Sequence, residues 1–410
     1  MKTISLRPGY IPYTLAVAIL ISCASALARE QKPEWMLVCL ALLVPVILAA
    51  AFDRLEFDGE KIRHRGPLAF LLTHLFRMRR ALAISEIETI TTETLRVTVG
   101  RGDARLTYHT RISGPQVELL LRSHRSAYVP FIKGLLRAVS PEKLDPRSLE
   151  LLKYLDTGAA LKHAAREKSD LDRMPVQLLR RLGNSFRLAG RLAQASSYFR
   201  VAYEKEPRNP GLLYEMSGFY YSSGAREDPR LLQRSNACLR LASRLAGSEP
   251  ALLERIGEAF FERLDNKRAT DCFRRALDLD PARFRANVGL AEIALRDGKL
   301  AHVAHFYNAA TASTDEALVR LAGREARYYE RLRSDDAFLE AELLRIRVSN
   351  QIRWVKRLSA LAFFCAWLTA WVVGRFYSLA EDFGWAMMAA SGLVWCAAAL
   401  AMRWFRRRVV

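Results

Sequence analysis

The sequence predicts a mainly α-helical membrane protein: a solenoid of antiparallel helical hairpins, a small β-rich module, and four transmembrane helices in two hairpins. Three observations lead there. Four apolar stretches, two near each end, carry no charged residue. The middle of the chain repeats with a period of 34 residues. Between the first apolar pair and the repeats, apolar residues alternate with period two.

The chain has 410 residues, with 63 Lys and Arg against 43 Asp and Glu, a formal net charge of +20. That length allows two or three compact units. The positive excess suits an anionic membrane surface or acidic partners, after allowance for the Lys and Arg that membrane proteins gather on their cytoplasmic side. Cys23, Cys39, Cys365 and Cys396 fall in apolar stretches, and Cys238 and Cys272 in the repeats. Their spacing fits neither a metal site nor a disulfide framework, so the soluble part is expected in a reducing compartment.

The membrane segments come first. Crossing a hydrocarbon core of about 30 Å takes roughly 17–25 apolar residues in a helix. Ile11–Ala28, Trp35–Phe52, Leu358–Gly374 and Phe383–Met402 qualify. Short connectors join them into a hairpin over residues 1–52 and another over 352–410, the latter ending in a basic tail. Lys2, Arg7, Arg54, Lys61, Arg63 and Arg65 flank the first hairpin, and Arg353, Lys356, Arg357, Arg403, Arg406, Arg407 and Arg408 the second. This bias places both termini and the middle in the cytoplasm, in a multi-pass protein of a bacterial-type inner membrane. Ser25-Ala26-Leu27-Ala28 also resembles a signal-peptidase site, and Leu20-Ile21-Ser22-Cys23 a lipoprotein box. Cleavage there would remove the first helix, yet Trp35–Phe52 would still return the chain to the cytoplasm.

Residues 53–127 read as strands. Leu55-Glu56-Phe57 and Ile62-Arg63-His64 flank the turn signal Asp58-Gly59. Ile84–Thr92 alternates, Leu95–Val99 runs through Gly100–Asp103 into Leu106–Tyr108, and Val117, Leu120 and Leu121 then mark one face of a closing helix. Strands closed by a C-terminal helix resemble the pleckstrin-homology-like domains of bacterial membrane proteins, a resemblance of element order over about 70 residues. Within the module, segment 67–80 crowds Phe70, Leu71, Leu72, Leu75, Phe76 and Met78 beside His74, Arg77, Arg79 and Arg80. It reads either as an interfacial helix whose Arg77, Arg79 and Arg80 meet anionic lipid, or as a core connector.

The repeats fill residues 140–351. Leu179, Leu182, Gly183, Phe186, Ala195, Phe199, Ala202 and Pro207 of Val176–Asn209 recur at the same frame positions of Pro250–Arg283 as Leu253, Ile256, Gly257, Phe260, Ala269, Phe273, Ala276 and Pro281. Pro210–Glu249 is a copy with a lengthened turn, matching through Leu213, Met216, Ser217, Tyr220, Ala237 and Leu241. Phe284–Ala317 is a fourth and Leu318–Gln351 a worn fifth running towards the membrane; Leu149–Lys168 reads as a capping helix. Small residues at the eighth and twentieth positions let two helices approach, and bulky ones fill the seam. These residues resemble the tetratricopeptide repeat, with Leu where the family often has Trp.

That resemblance implies a concave groove lined by the first helices. Its positions correspond here to Gln177, Arg180, Asn184, Arg187 and Leu188, to Tyr214, Gly218 and Tyr221, to Glu254, Arg255, Glu258, Phe261 and Glu262, and to Arg285, Val288, Glu292, Leu295 and Arg296. Arg180, Asn184 and Arg255 resemble part of a clamp for a peptide carboxylate, although Glu215 stands where the family pattern has Asn.

The chain carries no phosphate loop, dinucleotide fingerprint, zinc helix or nucleophile elbow, so neither enzyme activity nor a cofactor is expected. His302 and His305 read as solvent-facing rather than as metal ligands. Nucleic acid is not expected as a partner, since the positive excess is dispersed. The expectation is a membrane-anchored scaffold or adaptor that recruits protein partners through the groove. The alternative is an accessory subunit of a transport or export complex. Partner identity, pathway and oligomeric state are not legible.

Overall fold

The computed structural model describes residues 4–6, 11–29, 31, 33–66, 81–99, 103–115, 117–123, 127–164, 171–223, 228–373 and 376–405. The chain divides into two compact units, one of residues 1–293 and 309–321, the other of residues 294–308 and 322–410. It is mainly helical with a small antiparallel sheet region.

The first unit begins with β1 (Ile4–Leu6), which leads into α1 (Ile11–Arg29) and α2 (Pro33–Phe52). The chain returns as β2 (Arg54–Phe57), antiparallel to β1 with Ile4 opposite Phe57. Both ends of the α1–α2 hairpin are therefore pinned together by one sheet. β3 (Lys61–Arg65) follows through the expected turn, where the Asp58 carboxylate accepts from Glu60 N (3.0 Å) and Lys61 N (2.8 Å) and Gly59 takes φ +98°. β4 (Ala81–Ala83) completes the four-stranded sheet. A second sheet joins β5 (Thr89–Val99), β6 (Asp103–Gly114) and β7 (Val117–Arg122). Segment 67–80, with Arg77, Arg79 and Arg80, lies outside the described residues.

Two local expectations are corrected here. Val117–Arg122 is a strand, not a helix: Leu121 is buried while Leu120 beside it is 50% exposed, the period of a sheet edge. Ile84–Glu86 is a short 3₁₀ turn, and the strand begins only at Thr89. The closing helix is α3 (Tyr128–Ala138), whose Phe131, Ile132, Leu135 and Leu136 enter the module core, with Phe57 and Phe131 ring centroids 5.8 Å apart. That core runs past the expected boundary at residue 127. Leu144 and Leu151 belong to it, the latter on α4 (Pro146–Ala164).

At the mouth of the α1–α2 hairpin, Asp53 is 1% exposed. It accepts from the Tyr13 hydroxyl (2.7 Å) and lies 2.9 Å from His64 Nε2. A Cβ on Gly66 would come 2.5 Å from Asp53 Oδ1. Tyr13→Phe is expected to destabilise the hairpin by about 1–2 kcal/mol, because a buried acceptor loses its donor. Thermal unfolding of the purified protein in detergent micelles measures it.

Among the described residues three helices, rather than the expected four, are long and apolar enough to cross a membrane: Pro33–Phe52, Asp336–Val372 and Leu379–Met402. Ile11–Ala28 does form α1, but that helix carries Tyr13, Thr14, Ser22 and Ser25, and several of its side chains lie outside the described residues. On α2, Trp35, Leu37, Leu40, Leu42, Val44, Ile47 and Phe52 are all exposed, an apolar surface that suits lipid better than water.

Helical hairpins occupy the middle: α5 (Val176–Leu188) with α6 (Leu192–Lys205), α7 (Pro210–Ser222) with α8 (Pro229–Leu245), and α9 (Pro250–Glu262) with α10 (Asn266–Leu279). The glycines at the seam are needed for the close approach. A Cβ on Gly183 would come 3.1 Å from the Phe199 ring, and one on Gly257 2.8 Å from Phe273. In the α7–α8 hairpin the register differs from expectation by two residues. Ser235, Leu239 and Ala242 are buried, Leu241 is 39% exposed, and Ser235 Oγ donates to Ser217 O at 2.7 Å. α11 (Phe284–Arg296), α12 (Leu300–Ala310) and α13 (Glu316–Ser334) follow.

In the second unit α14 (Asp336–Leu368) extends through a π-helical turn, Thr369–Val373, and packs along α15 (Ser378–Phe405). Gly384 permits the approach, since a Cβ there would lie 2.7 Å from that of Ala370. Lys356 Nζ sits 5.1 Å from the centroid of the Trp395 ring. Tyr328 donates to Glu342 (2.8 Å), tying α13 to α14.

Candidate protein-binding groove

The inner residues of α5, α7, α9 and α11 come together, and a segment of the same chain lies against them. Residues 142–153 run from a 3₁₀ turn, Pro141–Lys143, into α4. Their charges alternate, and so do those they meet. Lys143 Nζ lies 2.9 Å from Asp315 Oδ2, and Glu142 accepts from Ser313 Oγ at 3.3 Å. Asp145 lies in the field of Arg285. Arg147 is 3.7 Å from Glu262, and Glu150 is 2.7 Å from Arg187. Lys153, exposed, lies in the opposed fields of Arg255, the stronger, and Glu215. The order basic, acidic, basic, acidic at Lys143, Asp145, Arg147 and Glu150 is thus answered by acidic, basic, acidic, basic, whereas Lys153 faces charges of both signs.

The opposite side of this segment belongs to the β-rich module. Leu144 and Leu151 are in its core, with Leu149, Leu152, Tyr154 and Leu155 packed against it. Asp145 accepts from Thr92 N (3.1 Å) and Ser148 N (2.9 Å), Ser148 Oγ lies 2.7 Å from Thr92 Oγ1, and Leu144 bridges to Ile90. A capping helix was the expectation for 149–168. The helix instead lies between two bodies, apolar towards the sheets and charged towards the hairpins. Tyr108 on β6 adds a bond from its hydroxyl to Leu188 O at 2.6 Å.

Other expected groove residues are engaged with one another. Arg180 forms a two-pronged pair with Glu215 (Nε–Oε2 2.9 Å, Nη2–Oε1 3.2 Å), and Asn184 Oδ1 accepts from Arg187 Nε at 2.9 Å. Arg180 and Asn184, two of the three residues expected in a carboxylate clamp, are therefore bonded internally. Glu254, only 4% exposed, joins Arg283 (2.5 Å) and accepts from Ala286 N (3.0 Å), so it anchors the start of α11. Arg255 lies over Tyr214 (5.9 Å to the centroid) and Arg263 over Tyr221 (5.0 Å). Phe261, Glu292 and Arg296 each have neighbours with which they interact.

Glu258 is the electrostatic weak point. Its Oε1 accepts from Arg285 Nε at 2.6 Å, while Oε2 is buried without a partner. Burial pushes its carboxyl up to about 7, with Arg285 opposing and Glu254 and Asp145 adding to the rise. An acid whose folded pKa is raised contributes its stability below the unfolded value and loses it as pH rises through the folded one. Between about pH 4.5 and 7, the parent chain should lose stability relative to Glu258→Gln by about 1.4 kcal/mol per pH unit. Urea midpoints for both chains across that range measure the difference.

The residues missed by sequence reasoning are Lys143, Asp145, Arg147, Glu150 and Lys153; Glu215 was read only as a departure from the clamp pattern, not as the partner of Arg180. Their signal was the alternation of charge between leucines over 143–153. His302 and His305 are exposed, and no group of three metal-binding side chains occurs among the described residues. The chain matches no protein-family model and no curated protein.

Proposed function

We propose that this protein is a membrane-anchored scaffold or adaptor whose tetratricopeptide-type repeats recruit a cytoplasmic protein partner. The observation that carries this reading is the charge-alternating inner face of α5, α7, α9 and α11, which already holds one helix, α4. A surface able to match four successive charges along a segment that runs from a turn into a helix is a recognition surface in chemistry as well as in shape. The apolar helices serve as anchors in a membrane of the bacterial inner-membrane type. Pairing of β1 with β2 and the Lys and Arg at the hairpin flanks support a cytoplasmic placement of both termini and the central domains.

Affinity capture from native membranes tests the reading, comparing the parent chain with Arg255→Glu/Glu262→Arg. A specific protein partner reduced at least tenfold by the double change is the expected result. Undiminished recovery of the same partner would move recognition to the membrane helices and favour an accessory subunit of a transport or export complex.

A further inference from the structure

The two bodies that meet at α4 have separate apolar cores. The module core contains residues up to Leu155 and none from the hairpins; the first hairpin core begins at Leu171 and contains none from the module. What joins them is polar: the ion pairs of Lys143 with Asp315, Arg147 with Glu262 and Glu150 with Arg187, and the hydrogen bond from Tyr108 to Leu188 O. Interfaces of this polar kind between parts of one chain resemble those of transient complexes, where relative motion is the default. The fit also has a flaw, because Glu258 Oε2 stays buried and unpaired beside the segment's Asp145.

Building on the scaffold reading, we propose that α4 is the resident, exchangeable ligand of the groove. The partner that replaces it presents a turn leading into a helix, with basic, acidic, basic and acidic side chains spaced as Lys143, Asp145, Arg147 and Glu150 are. Electrostatic order selects the partner, since a charge out of sequence would be set against a like charge or left unpaired on desolvation. The module is not unfolded by the exchange. Its leucines stay in its own core while the charged side of α4 leaves the hairpins, so partner binding and release of the β-rich module are one event.

The probe is a fluorescent synthetic peptide of residues 141–156, with a second peptide in which the charges of Lys143, Asp145, Arg147 and Glu150 are reversed. Both are titrated against the full chain in lipid nanodiscs, for the parent and for Arg147→Glu/Glu150→Lys, which reverses two resident charges. Arg147→Ala, which removes a rim contact 44% exposed on the arginine side, guards against misfolding. The native-charge peptide should bind the double variant at least tenfold more tightly than the parent, and Arg147→Ala severalfold more tightly. Hydrogen exchange over 142–153 should rise when the peptide binds. The proposal is overturned if the native-charge peptide binds none of the three chains, or if the charge-reversed peptide binds equally well. Peptide exchange without any captured protein partner would instead sink the scaffold reading and leave the exchange intact.

Discussion

Phe273→Ala is expected to destabilise the hairpins by about 3–5 kcal/mol, more than any other single truncation in them. Phe273 is fully buried. Its ring fills the seam that Gly257 leaves open on α9, and it also reaches Gly289 on α11, where a Cβ would come within 2.5 Å. Truncation therefore opens a cavity shared by two hairpins, and partial collapse cannot close both sides. Phe199 packs on Gly183 and makes the comparable contact in the first hairpin. Hydrogen exchange resolves the effect locally: amides of α9, α10 and α11 should lose protection together in Phe273→Ala. The opposite change, Gly257→Val, should overpack the same seam and destabilise by about 1–3 kcal/mol.

Glu150→Ala should have the second largest effect, about 3 kcal/mol, because it strands a guanidinium. Arg187 is 9% exposed and Glu150 21%, so the pair is removed from most of the solvent screening that weakens surface bridges. Asn184 remains as a partner to Nε but supplies no charge. Replacing both members, Glu150→Leu with Arg187→Met, should recover most of the loss, since no buried charge is then left unpaired. Chemical denaturation of the single and double variants, read as a cycle, separates the two cases. If the double change is as damaging as the single one, packing of the side-chain stems rather than charge holds α4 in place.

Much of the architecture was legible because helix packing leaves periodic marks. Gly183 and Gly257, each sixteen residues before a seam phenylalanine, mark the contacts seen at Phe199 and Phe273. The lengthened turn of the α7–α8 hairpin removed that guide. In the run Ser235-Asn236-Ala237-Cys238-Leu239-Arg240-Leu241-Ala242 small and bulky residues recur at two competing offsets, and only burial chooses Ser235, Leu239 and Ala242. Val117–Arg122 was ambiguous for a related reason, since three consecutive leucines satisfy a helical and a strand period equally. The groove residues were placed by repeat position, yet their internal pairings were not. Arg180 with Glu215, and Glu254 with Arg283, join residues 35 and 29 apart, a distance no local pattern spans. Nor can any single segment announce that α4 serves two neighbours. Its leucines look like an ordinary core face, and its charges acquire meaning only opposite α5, α9 and Asp315.

Site-specific photo-crosslinking in native membranes tests the central claim most directly, with the photoreactive residue placed at Arg255 on the inner face or at exposed Arg274 on α10. The account predicts a discrete protein adduct from position 255, accompanied by crosslinks to α4 of the same chain, and none of that partner from position 274. A partner captured equally from both positions, or only from the membrane helices, would contradict it.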